Sequence, residues 1–223
     1  MKFLIFSDVH SNENEKLFSY LDENIIDLVI ITGDITNFGP IEFVNSFIGK
    51  ILEYDVDVVA IPGNCDPEGV CEAIAEAGAL CLHNQIVGYG DTVLFGYGGS
   101  NETPFDTPGE VTDEQLEEDL LTLLSGYECS DEPKVNILVT HAPPFETNAD
   151  LIEGGVHVGS KGVLKAIQEF KPDINVCGHI HEAKSVDLIG ETKILNPGML
   201  ENDGAILIDI EDGNHFTSEI IQL

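Results

Sequence analysis

Seven side chains that can bind a metal ion follow directly after five apolar stretches of the chain. The stretches read KFLIFSDVHS, LVIITGDI, VVAIPGNCD, NILVTHAPP and DINVCGHIH. In an open α/β sheet, ligands bind outside the carboxyl ends of the strands, where the loops spread over one edge. Five strand ends with nitrogen and oxygen ligands at that edge predict a metal-dependent hydrolase. The seven residues are Asp8, His10, Asp34, Asn64, His141, His179 and His181.

The spacing within these motifs suits metal binding. In an extended strand, residues i and i+2 point to the same side, so Asp8 and His10 can face one ion, and His179 and His181 repeat this spacing. Asp34 follows a glycine, and a carboxylate there can bridge two ions. A mixture of imidazole, amide and carboxylate ligands favours Mn, Fe, Zn, Co or Ni over Mg or Ca alone. Each motif by itself is also typical of an ordinary polar strand end, and the prediction depends on the ordered set.

The charge of the chain excludes one kind of phosphate-binding group and disfavours some kinds of partner. Its formal net charge is −32, from 41 acidic and nine basic residues, and all nine are lysines. An arginine clamp for phosphate is therefore excluded. A surface this acidic repels polyanions, so long nucleic acids and anionic membranes are poor partners. The acidity is typical of adaptation to a salty cytoplasm, and an ordinary acidic protein is the alternative.

The length and composition predict a single domain over 1–223. With 223 residues and 43% apolar content, the chain can bury a large core. We expect a cytoplasmic protein without a membrane span, because no apolar run approaches the roughly 18 residues that a spanning helix needs. The start, MKFLIFSDVH, is typical of a first strand and not of a signal peptide. We expect all five cysteines (65, 71, 81, 129 and 177) to be reduced, since they show no CxxC spacing.

The order of elements predicts a four-layer αββα sandwich, with two facing mixed β-sheets flanked by helices. The first half alternates strands and helices, which predicts parallel strands with right-handed crossovers. Asn12 is the predicted N-cap of the first helix, with Glu15 completing a capping box, and Pro40 is predicted to start the second helix. The second half contains more strands. The predicted strands are 2–7, 28–33, 57–61, 92–97, 135–140, 174–177, 184–188, 192–195, 204–210 and 215–221, and the predicted helices are 13–24, 40–53, 67–78, 113–125 and 161–170.

The order D-x-H, G-D, G-N, H, G-H-x-H resembles that of the calcineurin-like metallophosphoesterases over essentially the whole chain. PGNCD and the GGSN…TPF…TP segment are most similar to the small prokaryotic phosphodiesterase-type members. The resemblance implies two divalent transition-metal ions, with Mn favoured, and a hydroxide that bridges them and attacks a small phosphodiester. It implies that the first ion is held by Asp8, His10, Asp34 and His181, and the second by Asp34, Asn64, His141 and His179.

One position departs from the pattern of the family. The third motif is usually Gly-Asn-His-Asp/Glu, and its histidine protonates the leaving group. Here Cys65 replaces that histidine, whereas Asp66 is retained. Both are candidate catalytic residues, and the alternative is that Cys65 is an inert small residue.

Further polar residues are candidates for contacting the substrate. They are Asn12, Ser100, Asn101 and His157, the last in a loop that can swing over the substrate. Two other functions remain open: a phosphomonoesterase, including a protein phosphatase, and a non-catalytic interaction protein on the same fold. The second of these predicts missing ligands, and none of the seven is missing. The sequence specifies no oligomeric state.

Overall fold

The computed structural model describes residues 1–127, 134–211 and 215–223. Within these ranges the α-helices are α1 (Glu15–Glu23), α2 (Glu42–Leu52), α3 (Val70–Glu76), α4 (Asp113–Ser125) and α5 (Lys161–Phe170). The strands are β1 (Lys2–Phe6), β2 (Leu28–Ile31), β3 (Asp57–Ala60), β4 (Leu80–Cys81), β5 (Gln85–Tyr89), β6 (Thr92–Tyr97), β7 (Ser100–Asn101), β8 (Glu110–Val111), β9 (Val135–Thr140), β10 (Leu151–Ile152), β11 (Val156–His157), β12 (Ile174–Val176), β13 (Ser185–Ile189), β14 (Thr192–Asn196), β15 (Gly204–Ile210) and β16 (Phe216–Gln222). None of the helices in this described part is long and apolar enough to cross a membrane.

Two mixed sheets form the centre of the molecule. The first has the order β16-β15-β1-β2-β3-β4, in which β1 to β4 are parallel and β15 and β16 pair antiparallel at one edge. The second has the order β13-β14-β12-β9-β6-β5, with four parallel central strands and an antiparallel strand at each edge. The alternation of strands and helices in the first half of the sequence therefore predicts the parallel strands of the first sheet correctly, whereas in the more β-rich second half the antiparallel pairing expected for strand 192–195 holds only with β13, because β14 also pairs parallel with β12.

The side chains of β1 alternate between two apolar layers. Phe3 and Ile5 pack with Ile137 of the second sheet, so the two sheets lie face to face. Leu4 and Phe6 point the other way and pack with side chains of α1 and α2. A third cluster buries α4 and α5 against the outer face of the second sheet. These clusters confirm the predicted four-layer sandwich.

Some helix starts differ from the prediction. Asn14, and not Asn12, caps α1, and its side chain accepts a hydrogen bond from the amide of Lys16. The amide of Asn12 closes a turn by donating to the carbonyl of Val9, and the backbone at Ser11 is left-handed (φ 59°), so the chain is still turning at Asn12 and the cap lies further on, at Asn14. Likewise α2 starts at Glu42, after a turn in which the carbonyl of Pro40 accepts from the amide of Phe43. By contrast, α4 and α5 have their predicted bounds, with caps at Thr112 and Ser160.

The prediction of five reduced cysteines is wrong for one pair. A disulfide joins Cys71 in α3 to Cys81 in β4. The two are only ten residues apart in sequence, and the packing of α3 beside β4 brings their Cα atoms to 5.3 Å. Cys65 and Cys177 are free thiols, and Cys129 lies outside the described residues.

Candidate metal centre

The carboxyl ends of β1 and β12 bring three of the predicted ligands together. Nε2 of His10 lies 3.1 Å from Nε2 of His181, which in turn lies 3.2 Å from Oδ1 of Asp8. His10 itself is 3.8 Å from the same carboxylate oxygen. Their donor atoms are therefore close enough to bind a single ion.

The carboxyl ends of β3, β9 and β12 bring a second group together. Nε2 of the fully buried His141 lies 2.9 Å from Oδ1 of Asn64. The ring of His179 packs edge to face against the ring of His141, with 5.1 Å between their centroids. On its other side, Nδ1 of His141 lies 2.8 Å from the carbonyl oxygen of Thr32. This contact leaves Nε2 of His141 as the nitrogen that faces the centre.

Asp34 lies between the two groups. Its Oδ2 is 3.7 Å from Nε2 of His10 in the first group and 3.5 Å from Nε2 of His141 in the second. Its Oδ1 accepts a hydrogen bond of 2.8 Å from the amide of Cys65. One carboxylate oxygen is therefore fixed by the backbone, and the other faces imidazoles of both groups.

The ligands converge through turns, and the prediction from extended strand geometry is wrong. β1 ends at Phe6, and the backbone is left-handed at Asp8 (φ 56°) and His10 (φ 48°). The same conformation occurs at Asp34 (φ 50°) and at His179 (φ 68°). Left-handed backbone is rare outside glycine, although Asp and His adopt it more readily than most residues. Such outliers cluster at functional sites, where the surrounding structure holds them in place.

Glycines in two of the motifs allow the loops to approach closely. A Cβ atom at Gly63, just before Asn64, would collide with the backbone and carboxylate of Asp34. A Cβ atom at Gly178 would collide with Ser7 and approach the carboxylate of Asp8. These glycines are therefore required by the proximity of neighbouring strand ends.

The electrostatics of the site favour ionised carboxylates. Burial acts to raise the pKa of Asp34, but the nearby His141 outweighs this effect, so the pKa lies below its usual value. Burial also acts to raise the pKa of Asp8, and the hydrogen bond with His181 keeps it below the usual value. Burial acts to lower the pKa of His141, whereas Asp34 raises it to about 9. Burial, followed by the charge of His141, lowers the pKa of His179 to about 4.

The residues present fit divalent metal ions. Within the described residues, the ion-pair partners of the buried carboxylates Asp8 and Asp34 are imidazoles. Buried carboxylates require a compensating charge or a metal. In addition, Nε2 atoms of two histidines face each other at 3.1 Å, as they would around a shared cation. Imidazole, amide and carboxylate donors together suit transition-metal ions.

Cys65 lies next to the ligands. Its thiol sulfur is within 4.8 Å of donor atoms of both His10 and Asp34. Burial, and then the charge of Asp34, raise the pKa of the thiol above its ordinary value. The thiol therefore stays protonated near neutral pH and lies beside the ligand candidates His10 and Asp34.

Asp66 holds the loops after β2 and β3 together. Its buried carboxylate accepts hydrogen bonds from the amides of Ile35 (3.1 Å), Thr36 (2.7 Å) and Gly63 (2.8 Å). The hydroxyl of Thr36 donates a further hydrogen bond of 3.0 Å. Because both oxygens are used in this way, the geometry favours a positioning role for Asp66 over a direct role in proton transfer.

The structure places the four residues predicted to contact the substrate in the turn after His10 and in the short strands β7 and β11. Asn12 is in the turn that follows His10, and the hydroxyl of the buried Ser100 donates to the carbonyl of Asn101. Nδ2 of Asn101 donates to a carbonyl in the loop after β11. Nδ1 of His157 lies 2.6 Å from Oδ1 of Asp150. In the described structure, none of the four side chains hydrogen-bonds to the seven metal-ligand candidates.

The sequence does not predict the roles of Thr107 and Glu110. The hydroxyl of Thr107 accepts a hydrogen bond of 2.8 Å from Nδ2 of Asn64 and donates one of 2.6 Å to Glu110. Both residues lie in the Gly/Pro-rich segment GGSNETPFDTPGE, so the sequence marks the loop but not the contact with Asn64.

The chain is similar to proteins of known sequence and structure. Residues 1–183 match the family model of the calcineurin-like phosphoesterases. The chain is 33% identical to an uncharacterised protein of Methanocaldococcus jannaschii over 201 residues, which is 88% of each chain. A crystal structure from Thermus thermophilus superposes with a TM-score of 0.74 at 16% identity, covering 99% of this chain and 98% of that one. A 5'-nucleotidase from Candida albicans superposes with a TM-score of 0.64 at 12% identity, covering 99% of this chain and 51% of that one, and at such identities both structures show the fold alone.

Proposed function

The chain belongs to the calcineurin-like phosphoesterase family, and from this membership we propose that it is a phosphodiesterase dependent on two divalent metal ions. The observation that carries the proposal is the convergence of ligands from five strand ends around Asp34. We propose Mn as the first ion to test among Mn, Fe, Zn, Co and Ni. In this proposal one ion is held by Asp8, His10, Asp34 and His181, and the other by Asp34, Asn64, His141 and His179.

Neighbouring residues orient two of the proposed ligands, and the surroundings of a third keep it in the neutral form. The carbonyl of Thr32 orients His141, and the hydroxyl of Thr107 orients Asn64. The low pKa of His179 keeps its imidazole neutral, which is the form that binds a metal. When bound, the two ions supply Lewis acidity that lowers the pKa of water and neutralises charge on the phosphate.

Two features support diesters over monoesters as substrates. The chain has no arginine to neutralise the second charge of a monoester dianion. The thiol of Cys65 has a pKa raised above its ordinary value and is therefore a weak acid, and the carboxylate of Asp66 is occupied by backbone amides, so neither group readily protonates a poor leaving group. Diesters carry a single charge, and aryl leaving groups depart without protonation.

The test compares diesters and monoesters with the same leaving group. Metal-stripped protein is reconstituted with Mn²⁺ and assayed with bis(p-nitrophenyl) phosphate, p-nitrophenyl phosphate and the matching alkyl esters. We expect metal-dependent turnover with a higher kcat/KM for the diesters. Equal or better turnover of alkyl monoesters would indicate a phosphomonoesterase. Absence of turnover with both ions bound would indicate a non-catalytic interaction protein.

A further inference from the structure

An apolar cavity of about 590 Å³ opens beside the metal-ligand candidates. His179 and His181 belong to both the cavity and the candidate metal centre. The volume falls in the range of cavities that take small organic ligands. The apolar residues that line the cavity are Pro104, Phe105, Ile152, Val158 and Ile180.

Hydrogen bonds hold the two loops that form the walls of this cavity. The carboxylate of Glu110 accepts hydrogen bonds from the amide and hydroxyl of Thr103, and that hydroxyl accepts one of 3.1 Å from the amide of Phe105. On the other side, Nδ2 of Asn101 donates to the carbonyl of Val158. Phe105 is 82% exposed, although its amide is hydrogen-bonded to the hydroxyl of Thr103. The loop therefore exposes an aromatic ring that is not packed in the core of the protein.

The charges around the cavity restrict what it can bind. In the described chain, the ionisable residues that line the cavity, apart from the two histidines, are Glu102 and Glu182. Two carboxylates disfavour a second anionic group, such as a carboxylate or another phosphate, in a partly apolar space. An uncharged group avoids this repulsion and gains from the burial of apolar surface.

We propose that this cavity binds an uncharged apolar group, preferably an aromatic ring, of the phosphoester whose phosphate lies at the metal-ligand candidates. The inference rests on the proposed phosphoester site and names the class of organic group that accompanies the phosphate. The histidines at the shared boundary place such a group directly beside the phosphate.

The test measures binding and not turnover, so that it can fail independently of the proposed function. Methylphosphonate, phenylphosphonate and 4-carboxyphenylphosphonate are titrated calorimetrically into the Mn²⁺-loaded protein. We expect phenylphosphonate to bind about tenfold more tightly than methylphosphonate, because the ring is buried in the cavity. The 4-carboxyphenyl compound should lose this advantage through repulsion by Glu102 and Glu182.

Variants assign the effect to the cavity. Phe105→Ala and Ile152→Ala should each reduce the advantage of the phenyl group severalfold and leave the binding of methylphosphonate unchanged. Leu188→Ala is the matched control, because Leu188 is an exposed apolar residue on β13 that does not line the cavity. Glu102→Gln should tighten the binding of 4-carboxyphenylphosphonate alone.

The outcomes separate the two proposals. Equal affinities for methylphosphonate and phenylphosphonate, or a preference that Phe105→Ala and Ile152→Ala leave intact, overturn the cavity inference even if diesters are hydrolysed. A phenyl preference lost in these variants supports it, even if no phosphoester is turned over and the proposed function is wrong.

Discussion

Nδ2 of Asn64 donates a hydrogen bond of 2.8 Å to the hydroxyl of Thr107, and this bond leaves Oδ1 of Asn64 2.9 Å from Nε2 of His141. The hydroxyl of Thr107 is itself directed by Glu110, to which it donates over 2.6 Å. An amide held through its nitrogen presents its oxygen to the other side, and oxygen is the atom that can bind a cation. The hydroxyl of Thr107 thus orients Asn64 so that its Oδ1 faces the candidate metal centre.

Thr107→Val should weaken metal binding without removing a ligand. The valine keeps the shape of the side chain but cannot accept from Nδ2, so the amide of Asn64 is no longer held. Loss of such an orienting contact typically lowers metal affinity about 10- to 100-fold. Titration of Mn²⁺ into metal-stripped protein measures the change. Thr122→Val on the exposed face of α4 is the control, and equal affinity in both variants would contradict the role of Thr107.

Asp34→Asn should reduce the occupancy of both metal positions together. Asp34 faces imidazoles of both ligand groups, and the substitution removes its charge with little change of shape. Asn64→Ala should reduce only one position, because Asn64 contacts only the second group. Elemental analysis of gently purified variants gives the number of ions per chain. Loss of a single ion in Asp34→Asn would show that Asp34 does not bridge.

Most of the fold could be predicted because local and tertiary preferences agree. The bounds of β6, β9, α4 and α5 follow from continuous apolar runs and from side-chain caps, which act within a few residues. The edge strand β5 and the two-residue strands β4, β7, β8, β10 and β11 were not predicted. The pairing of β7 with β8, and of β10 with β11, is set by loops that meet only in the folded chain.

The sequence identifies the residues that converge at the candidate site, but it does not indicate their backbone conformation. The types and order of the ligands are visible in the sequence, whereas the left-handed turns at Asp8 and His10 are imposed by neighbouring loops. The amide of His10, for example, donates to the carbonyl of Asp34 on the next strand end. The role of Thr107 was also invisible, because it lies 43 residues from Asn64 and nothing local marks the contact.

His157 should stabilise the folded chain more at low pH than at high pH. Its hydrogen bond with the buried Asp150 raises its pKa above the ordinary value of 6.5. A pKa raised by folding contributes stability that is fully present below the unfolded value and is lost as the pH rises through the folded value. The difference in free energy of unfolding between the natural protein and His157→Gln should therefore be larger at about pH 6 than at about pH 9. Urea unfolding at both pH values measures this difference.

The matched control for that measurement is His215→Gln. His215 is exposed just before β16, and its substitution serves as a comparison for the removal of an imidazole at a position other than that of the contact between His157 and Asp150. A His157→Gln effect that is independent of pH would show that the ring contributes by packing against Phe145 and not through its charge.

The thermal stability of the protein should increase with salt concentration. Nine lysines cannot neutralise 41 acidic side chains, and Lys50 and Lys165 already pair with Glu13 and Glu169. The remaining acidic charges repel one another, and this repulsion is screened as the Debye length falls from about 10 Å at 0.1 M salt to about 3 Å at 1 M. Calorimetry should show a Tm several degrees higher at 1 M KCl than at 0.1 M KCl, and NaCl of equal ionic strength should give a similar increase. A constant Tm would indicate an ordinary acidic protein and not a salt-adapted one.

Cys65→His tests whether the proposed site lacks an acid for the leaving group. The thiol lies beside the ligand atoms of His10 and Asp34, so an imidazole placed there can reach the substrate. General acid catalysis by a placed side chain contributes about 10²- to 10⁴-fold, and mainly where the leaving group needs a proton. We therefore expect kcat/KM for alkyl esters to rise while that for aryl diesters changes little.

Cys65→Ser is the matched control for this substitution, because it keeps the size of the side chain and adds no effective acid. Turnover of aryl diesters within a few-fold of the natural protein is expected if the thiol is inert. An imidazole is bulkier than a thiol and can displace Asn64, so both variants are compared at equal metal content. If Cys65→His keeps both ions and gains nothing on alkyl esters, a missing acid does not limit the reaction. If Cys65→Ser loses activity at full metal content, the thiol itself takes part.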